Sequence, residues 1–359
     1  MSETAGGESP APSPMTRREA ARARREAAVT GVDAPVAPTP AHVPPSAPLP
    51  HEAMRAARTE FESQVAQARE HFEQANERIK QRTGRDLIVA ILIGIAIGAV
   101  VLSSLIFLKW IFVLFALAAS ILGTVELARA LQVGGRRVDL VPQLMLGSAL
   151  IVAAATLGDA LMWVTLFSSV AIIVVWRLIA QMIAKDGRTY GDVLRDVVVG
   201  VFLQLYVPFL ASLCVVLLRQ EQGEYWVLAF IIVAVATDTG AYAAGISFGK
   251  HPMAPRISPK KTWEGFAGAV LAAILAGLLL ALFMLHLPLW CGVVLGVAVL
   301  AAATIGDLGE SMLKRDLGIK DMSSWLPGHG GVLDRLDSIL LSTVPALALY
   351  YFFSPLMTS

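Results

Sequence analysis

The sequence predicts an all-α polytopic membrane protein with about nine transmembrane helices, a cytoplasmic N-terminus and a disordered N-terminal tail. Of the 359 residues, 56% are hydrophobic and 16% are charged, and the mean hydropathy is +0.64. This composition excludes an ordinary soluble domain. The apolar residues form runs long enough to cross a bilayer, and most lysines and arginines after residue 86 lie in alternate connections between those runs. These three observations define the fold class.

The N-terminal part of the chain is polar and divides into two regions. Residues 1–50 are rich in Ala, Pro, Ser, Glu and Arg, so they are expected to be disordered. The arginine cluster between Arg17 and Arg25 fits either attraction to anionic lipid headgroups or a solvated tail. Residues 51–83 predict a charged juxtamembrane helix, which is either a short coiled coil or a helix on the bilayer surface. The transmembrane domain then occupies residues 84–359.

The apolar runs define the predicted spans. These are residues 87–107, 110–131, 140–157, 160–183, 194–218, 225–248, 264–286, 288–306 and 338–354. With the N-terminus inside, the cytoplasmic connections hold most of the cationic residues, whereas the opposite connections hold Lys109 and Arg219. We therefore expect a multi-pass protein of the cell (plasma) membrane whose charged segments face the cytoplasm. Glu126, Asp159 and Arg177 lie near span ends and are expected to reach the membrane interface.

The connection between the last two predicted spans carries carboxylates and cationic side chains at high density. Asp307 and Ser311 fall on one predicted helix face, and so do Asp334 and Asp337. A Gly-rich turn, residues 326–331, separates the two pairs and lets backbone approach a ligand closely. Any one pair alone favours a solvated loop with local ion pairs. Together, converging carboxylates can hold a hard cation such as Mg²⁺, and the neighbouring cations can hold phosphate.

A second group of polar residues spans the end of the sixth predicted span and the loop after it. Asp238 lies deep in that span, where a carboxylate costs about 2.5–3.5 kcal/mol on insertion scales and by default indicates function. The alternative is an aspartate paired with an interhelical Thr, Tyr or Arg. The loop reads Ser-Pro-Lys-Lys-Thr from Ser258 to Thr262. Its lysine pair alone would be ordinary cytoplasmic positive charge.

Taken together, these two groups resemble the signature of the phosphatidate cytidylyltransferase (CDP-diacylglycerol synthase) family. The first part of the likeness is the Asp-Thr-x-Ala-Tyr span followed by the Ser-Pro-Lys-Lys-Thr-x-Glu-Gly loop. The second part consists of Ser311, Leu313, Lys314, Arg315, Lys320, Asp321, Ser323, Leu326, Pro327, His329, Gly330, Gly331, Asp334, Arg335 and Asp337. The specific likeness covers about residues 235–340. Over residues 87–234 it is only a hydrophobic pattern, and residues 1–83 lie outside it.

The resemblance implies a Mg²⁺-dependent reaction of phosphatidic acid with CTP that yields CDP-diacylglycerol and pyrophosphate. The family uses aspartates of these motifs as metal ligands, so Asp307 and Asp334 are expected to bind the metal, with Asp238 and Asp337 completing or orienting the ligand shell. Whether the site holds a second metal ion, divalent or monovalent, stays an open question. The side chains expected to hold CTP phosphates or the lipid headgroup are Ser258, Lys260, Lys261, Thr262, Ser311, Lys314, Arg315 and Arg335. For Arg335, the alternative is a structural ion pair with a neighbouring carboxylate. His329 is expected to donate to a phosphate oxygen or to relay a proton.

The expected partners are CTP, phosphatidic acid and the lipid bilayer. A net charge of +1 does not indicate a nucleic-acid partner. A homodimer is compatible with the sequence. Three other functions stay open at this point: a CTP-dependent polyprenol or lipid kinase, an ion-coupled transporter that uses Asp238 and Asp307, and a scaffold acting through the N-terminal region.

Overall fold

A computed structural model describes the transmembrane domain of the chain. The described residues are Arg58, 87–184, 187–323 and 331–356. The chain divides into two units, Met1–Gln67 and Ala68–Ser359, and all described residues except Arg58 belong to the second. The predicted tail, and the predicted juxtamembrane helix apart from Arg58, therefore lie outside the described residues.

Helices form at every predicted span. They are α1 Leu87–Phe107, α2 Lys109–Val133, α3 Leu140–Thr156, α4 Asp159–Ile183, α5 Tyr190–Gln204, α6 Leu210–Arg219, α7 Gly223–Phe248, α8 Trp263–Phe283, α9 Leu289–Asp316 and α10 Leu333–Phe353. A π-helical turn, Leu205–Phe209, joins α5 to α6, and a 3-10 turn, Ser354–Leu356, follows α10. Within the described ranges, seven helical rods are long and apolar enough to cross a membrane. The predicted all-α polytopic class is confirmed, whereas the number of spans and their orientation stay predictions.

The structure differs from the predicted spans at their polar ends. Helix α9 continues to Asp316 instead of ending at 306, and α10 begins at Leu333 instead of 338. Hydropathy marks only the apolar part of a helix, whereas residues with good helix propensity extend the hydrogen-bonded backbone into the polar segment. The loop between α7 and α8 forms a two-stranded antiparallel hairpin of β1 (Pro252–Ala254) and β2 (Ser258–Thr262).

Helices α7 to α10 pack closely because small residues line their contacts. A Cβ atom added at Gly240 of α7 would lie 2.7 Å from the carbonyl oxygen of Gly268 in α8. A Cβ atom at Gly306 of α9 would lie 2.3 Å from the carbonyl oxygen of Asp337 in α10. Small residues allow helix backbones in a membrane to approach one another in this way. The approach brings the polar residues of these four helices to one region.

A buried cluster of charges joins α3, α4 and α5. Arg177 of α4 is 4% exposed and lies 3.3 Å from Asp139, the residue preceding α3, and 3.4 Å from Asp196 of α5. Asp196 also accepts a 2.6 Å hydrogen bond from Arg188. Arg177 is therefore buried against carboxylates of neighbouring elements, and its expected place at the membrane interface stays a prediction. Hydropathy along one span does not show which neighbouring helix supplies a partner for a charge.

Candidate active site

A cavity of about 470 Å³ lies among α7, β2, α8, α9 and α10. Most of the side chains that the sequence indicated line it, although they come from segments far apart in the chain. Those lining residues are Asp238, Lys260, Lys261, Thr262, Asp307, Lys314, Asp334, Arg335 and Asp337. The cavity also contains Asp321, which precedes α10. The two motif groups therefore form one site.

Three aspartates from three helices form the acidic part of the cavity. Asp238 comes from α7, Asp307 from α9 and Asp337 from α10, and the negative charge of Asp307 acts on both of the others. Lys261 of β2 forms an ion pair with Asp307. Within the part of the chain that the structure describes, Asp238 and Asp337 have no ion-pair partner. Like charges held together in this way favour the binding of a cation.

The carboxylate of Asp334 is held by donors from three places. Lys314 donates to Oδ1 at 3.0 Å, and the backbone N–H groups of Met322 and Gly331 donate to Oδ2 at 3.2 and 2.8 Å. Its side chain is only 6% exposed. In this arrangement Asp334 fixes the chain that leads into α10 and orients Lys314. The predicted role of Asp334 as a metal ligand stays a prediction.

Lys314 links α9 to α10 at the edge of the cavity. Besides its bond to Asp334, its ammonium lies 3.1 Å from Oε1 of Glu310 one helical turn earlier. Glu310 is 2% exposed, and neither of its carboxylate oxygens has a well-aligned hydrogen bond among the described residues. The two buried carboxylates therefore hold the lysine at the edge of the cavity in a fixed position.

The hairpin that carries the lysine pair is folded back onto the start of α8. The Glu264 carboxylate accepts hydrogen bonds from the backbone N–H groups of Lys250 and His251 at 3.1 and 3.2 Å. The hydroxyl of Thr262 accepts a bond from the Gly265 N–H at 3.1 Å, which caps α8. These bonds determine where Lys260 and Lys261 meet the cavity.

Three predicted site residues lie beside the cavity instead of lining it. The Ser311 hydroxyl donates to Asp307 at 3.5 Å, and Arg315 donates from Nε to the Ile257 carbonyl at 3.3 Å, which connects α9 to the hairpin. Ser258 begins β2 and is partly buried. His329, which was expected to assist at a phosphate, lies outside the described residues.

Glu126 of α2 has a structural role that the sequence did not indicate. It is 1% exposed and receives hydrogen bonds from Ser323 and from the first residues of α10 and its N-cap, whereas its expected place at the membrane interface stays a prediction. Its donors are the Ser323 hydroxyl at 2.5 Å and the backbone N–H groups of Val332 and Leu333 at 3.0 and 2.8 Å. A carboxylate at a helix N-terminus satisfies unpaired N–H groups and interacts favourably with the helix dipole. The sequence feature that could have indicated this role is the presence of an acidic residue inside an apolar run.

The donor chemistry of the cavity fits a Mg²⁺ ion. Among the described residues, no group of three His, Cys, Asp or Glu side chains is arranged to enclose a metal ion. Mg²⁺ does not require such a group, because it usually binds through one or two carboxylates, several waters and the phosphates of a substrate. The Asp307 carboxylate, with Asp238 and Asp337 beside it, provides oxygen ligands of the required kind.

The fold and the cavity define a class of protein, namely helical membrane proteins with a polar cavity lined by carboxylate and cationic side chains. The family model described as "Cytidylyltransferase family" matches residues 88–353. The phosphatidate cytidylyltransferase of Mycobacterium bovis is 40% identical over 270 residues, covering 74% of this chain and 88% of its own. That of Mycobacterium leprae is 37% identical over 284 residues, covering 74% and 88%.

A more distant similarity is confined to part of the chain. The phosphatidate cytidylyltransferase of Haemophilus influenzae is 40% identical over 163 residues, which is 41% of this chain and 54% of its own. The chain belongs to the cytidylyltransferase family. The resemblance inferred from the two motif groups is thus confirmed.

Proposed function

We propose that this protein transfers the cytidylyl group of CTP to phosphatidic acid, giving CDP-diacylglycerol and pyrophosphate for phospholipid synthesis. The observation that supports this most is the single cavity in which aspartates and lysines of both motif groups meet within a membrane-helix bundle. The family and the names of the relatives point to the same reaction.

The reaction needs electrostatic assistance more than a protein nucleophile. A phosphate oxygen of phosphatidic acid forms a bond to the α-phosphorus of CTP, and the bond from that phosphorus to the pyrophosphate breaks. The attacking oxygen is already anionic, so no residue has to remove a proton from it. The main barrier is repulsion between two anionic reactants, together with the charge that develops on pyrophosphate.

The cationic side chains of the cavity are placed to offset that repulsion. Lys260 and Lys261 reach it from β2, Lys314 from α9 and Arg335 from α10. Cations from different directions can contact different phosphates, which orients the two reactants as well as lowering their repulsion. Lys314 is held between two carboxylates, so it is oriented before substrate binds.

The acidic part of the cavity would hold the metal. Asp307, with Asp238 or Asp337 beside it, would bind Mg²⁺ together with CTP phosphates, and Asp334 would act by orienting Lys314 and the start of α10. Bound there, the ion would neutralise phosphate charge and stabilise the leaving pyrophosphate. Asp307 now pairs with Lys261, so its contact with that lysine changes when a phosphate takes the lysine as its partner.

A membrane location follows from the two substrates. Phosphatidic acid has to enter from the bilayer, whereas CTP arrives from water on the cytoplasmic side. The positive-inside distribution of lysines and arginines supports a cavity that opens to the cytoplasm, and the plasma membrane is the proposed location.

The deciding experiment is incubation of purified protein with phosphatidic acid and CTP labelled at either the α or the γ phosphate. The expected result is α-label in a lipid product and γ-label in pyrophosphate, both dependent on added Mg²⁺ and abolished by a chelator. Release of CDP with γ-label in the lipid would instead establish a CTP-dependent lipid kinase. Full activity after removal of divalent ions would contradict the metal role.

A further inference from the structure

A second cavity, of about 280 Å³, lies on the other side of α10 from the active-site cavity. Its walls are almost entirely apolar and come from α1, α2, α6, α7 and α10. They include Gly98, Phe112, Ala116, Ala211, Ile231 and Leu340. The cavity is therefore suited to a flexible hydrocarbon group.

Arg335 lines both cavities. Its neighbours in α10 are divided between them, since Asp334, Asp337 and Ser338 line the polar cavity and Leu336, Ile339 and Leu340 line the apolar one. The positive charge of Arg335 acts on Asp238 in the polar cavity. One cationic side chain thus lies between a polar cavity and an apolar cavity.

We propose that the apolar cavity holds one acyl chain of the phosphatidic acid while Arg335 holds the phosphate of the same molecule at the junction. This inference rests on the proposed function. Two observations select this occupant: the arginine complements a phosphate, and the same arginine lines both the active-site cavity and the apolar cavity. A lipid with a phosphate at one end and a hydrocarbon chain at the other matches both parts.

The cavity acts by positioning the lipid and not by extracting it from water. Bilayer tails are as apolar as the cavity walls, so transfer of a chain between them has little hydrophobic driving force. A chain held along α10 fixes the direction from which the phosphate approaches CTP, and correct orientation contributes strongly to rate. Loss of the chain site should therefore lower the reactivity of long-chain substrate specifically.

Gly98 offers a way to fill the cavity without disturbing the backbone. A Cβ atom added there would meet no atom within 4 Å, so Gly98→Leu places a side chain in open space on the cavity wall. Gly158, which precedes α4, has equally open surroundings and does not line this cavity, so Gly158→Leu is the matched control. The measurement is kcat/KM for dioleoyl and for dihexanoyl phosphatidic acid.

We expect Gly98→Leu to lower the ratio of long-chain to short-chain kcat/KM on the order of tenfold, whereas Gly158→Leu keeps the wild-type ratio. An unchanged ratio in Gly98→Leu would overturn the proposal and assign the cavity to bulk-lipid chains. Failure of the wild-type protein to convert either lipid would be distinct, because it contradicts the proposed function itself.

Photolabelling of the wild-type protein tests the same proposal without turnover or a variant. Phosphatidic acid with a diazirine on its acyl chain should label α2 between Phe112 and Ala119, and excess unlabelled phosphatidic acid should suppress that label. Excess phosphatidylcholine should not. Equal suppression by both lipids, or labelling confined to other helices, would overturn the proposal.

Discussion

The protein contains two clusters of charges inside its helix bundle, and they differ in how the charges are satisfied. Around Arg177, the carboxylates of Asp139 and Asp196 each have a cationic partner, and the adjoining cavity measures only about 10 Å³. In the active-site cavity, Asp238 and Asp337 face about 470 Å³ of open space without an ion pair in the described residues. In a closed cluster the charges are paired within the protein, whereas an open cluster with carboxylates outside any described ion pair is suited to bind ligands.

The largest effect on activity is expected from the open cluster. Asp307→Asn removes the charge that both neighbouring aspartates sense and that Lys261 pairs with, so kcat/KM should fall on the order of 10³-fold. The measurement is CDP-diacylglycerol formation at several Mg²⁺ concentrations, with thermal unfolding as a check on folding. Asp159→Asn is the matched control, since Asp159 also faces a cation, Arg219 at 3.9 Å, but lies away from the cavity. Near-normal activity in Asp307→Asn would contradict the catalytic role proposed for the open cluster.

Loss of a phosphate-binding cation should have the next largest effect. Lys261→Met removes an ammonium from the cavity wall, so KM for CTP should rise about ten- to hundredfold, as expected for a hydrogen bond to a charged group. Lys109→Met is the control, because Lys109 also pairs with a carboxylate, that of Glu224 at 2.6 Å, at an exposed site outside the cavity. Equal CTP kinetics for the two variants would contradict a role for Lys261 in substrate binding.

A smaller effect should follow when the support of the open cluster is weakened. Glu126→Gln keeps one oxygen acceptor but loses the charge that attracts the Ser323 hydroxyl and the N–H groups at the start of α10. We expect about a tenfold fall in kcat, because Asp334 and Asp337 on α10 are no longer held in register, and a loss of about 1–3 kcal/mol in the free energy of unfolding. Glu126→Asp, which retains the charge, should recover part of both losses. No change in kcat would show that Glu126 supports only the fold.

The smallest effect on activity and the largest on stability should come from the closed cluster. Arg177→Met leaves Asp139 without its cation and Asp196 with Arg188 alone, which should cost about 3–5 kcal/mol in the free energy of unfolding. The kcat of the folded fraction should stay within about twofold of wild type, since a structural change away from the site removes no transition-state contact. Adding Asp139→Asn should restore part of the stability. A loss of kcat without a loss of stability would contradict the structural role of the closed cluster.

Some features of the protein could be predicted from the sequence and others could not, depending on what each sequence signal measures. Apolar length placed every described helix, and the motif residues identified the family. The same signals did not show that Glu126 and Arg177 are buried against groups from other parts of the chain. Hydropathy measures how a segment partitions between water and lipid, but it contains no information on which helices become neighbours.

The sequence by itself determined the class of the protein, the helical segments and the residue types available for phosphate and cation binding, because these depend on local composition and spacing. Only the tertiary structure decided which charges are paired and which face open space. It showed that the Asp334 carboxylate accepts hydrogen bonds from Lys314, Met322 and Gly331. It also showed that Arg335 lies between a polar and an apolar cavity. The reason is physical: the state of a charge in a low-dielectric interior depends on partners contributed by other helices.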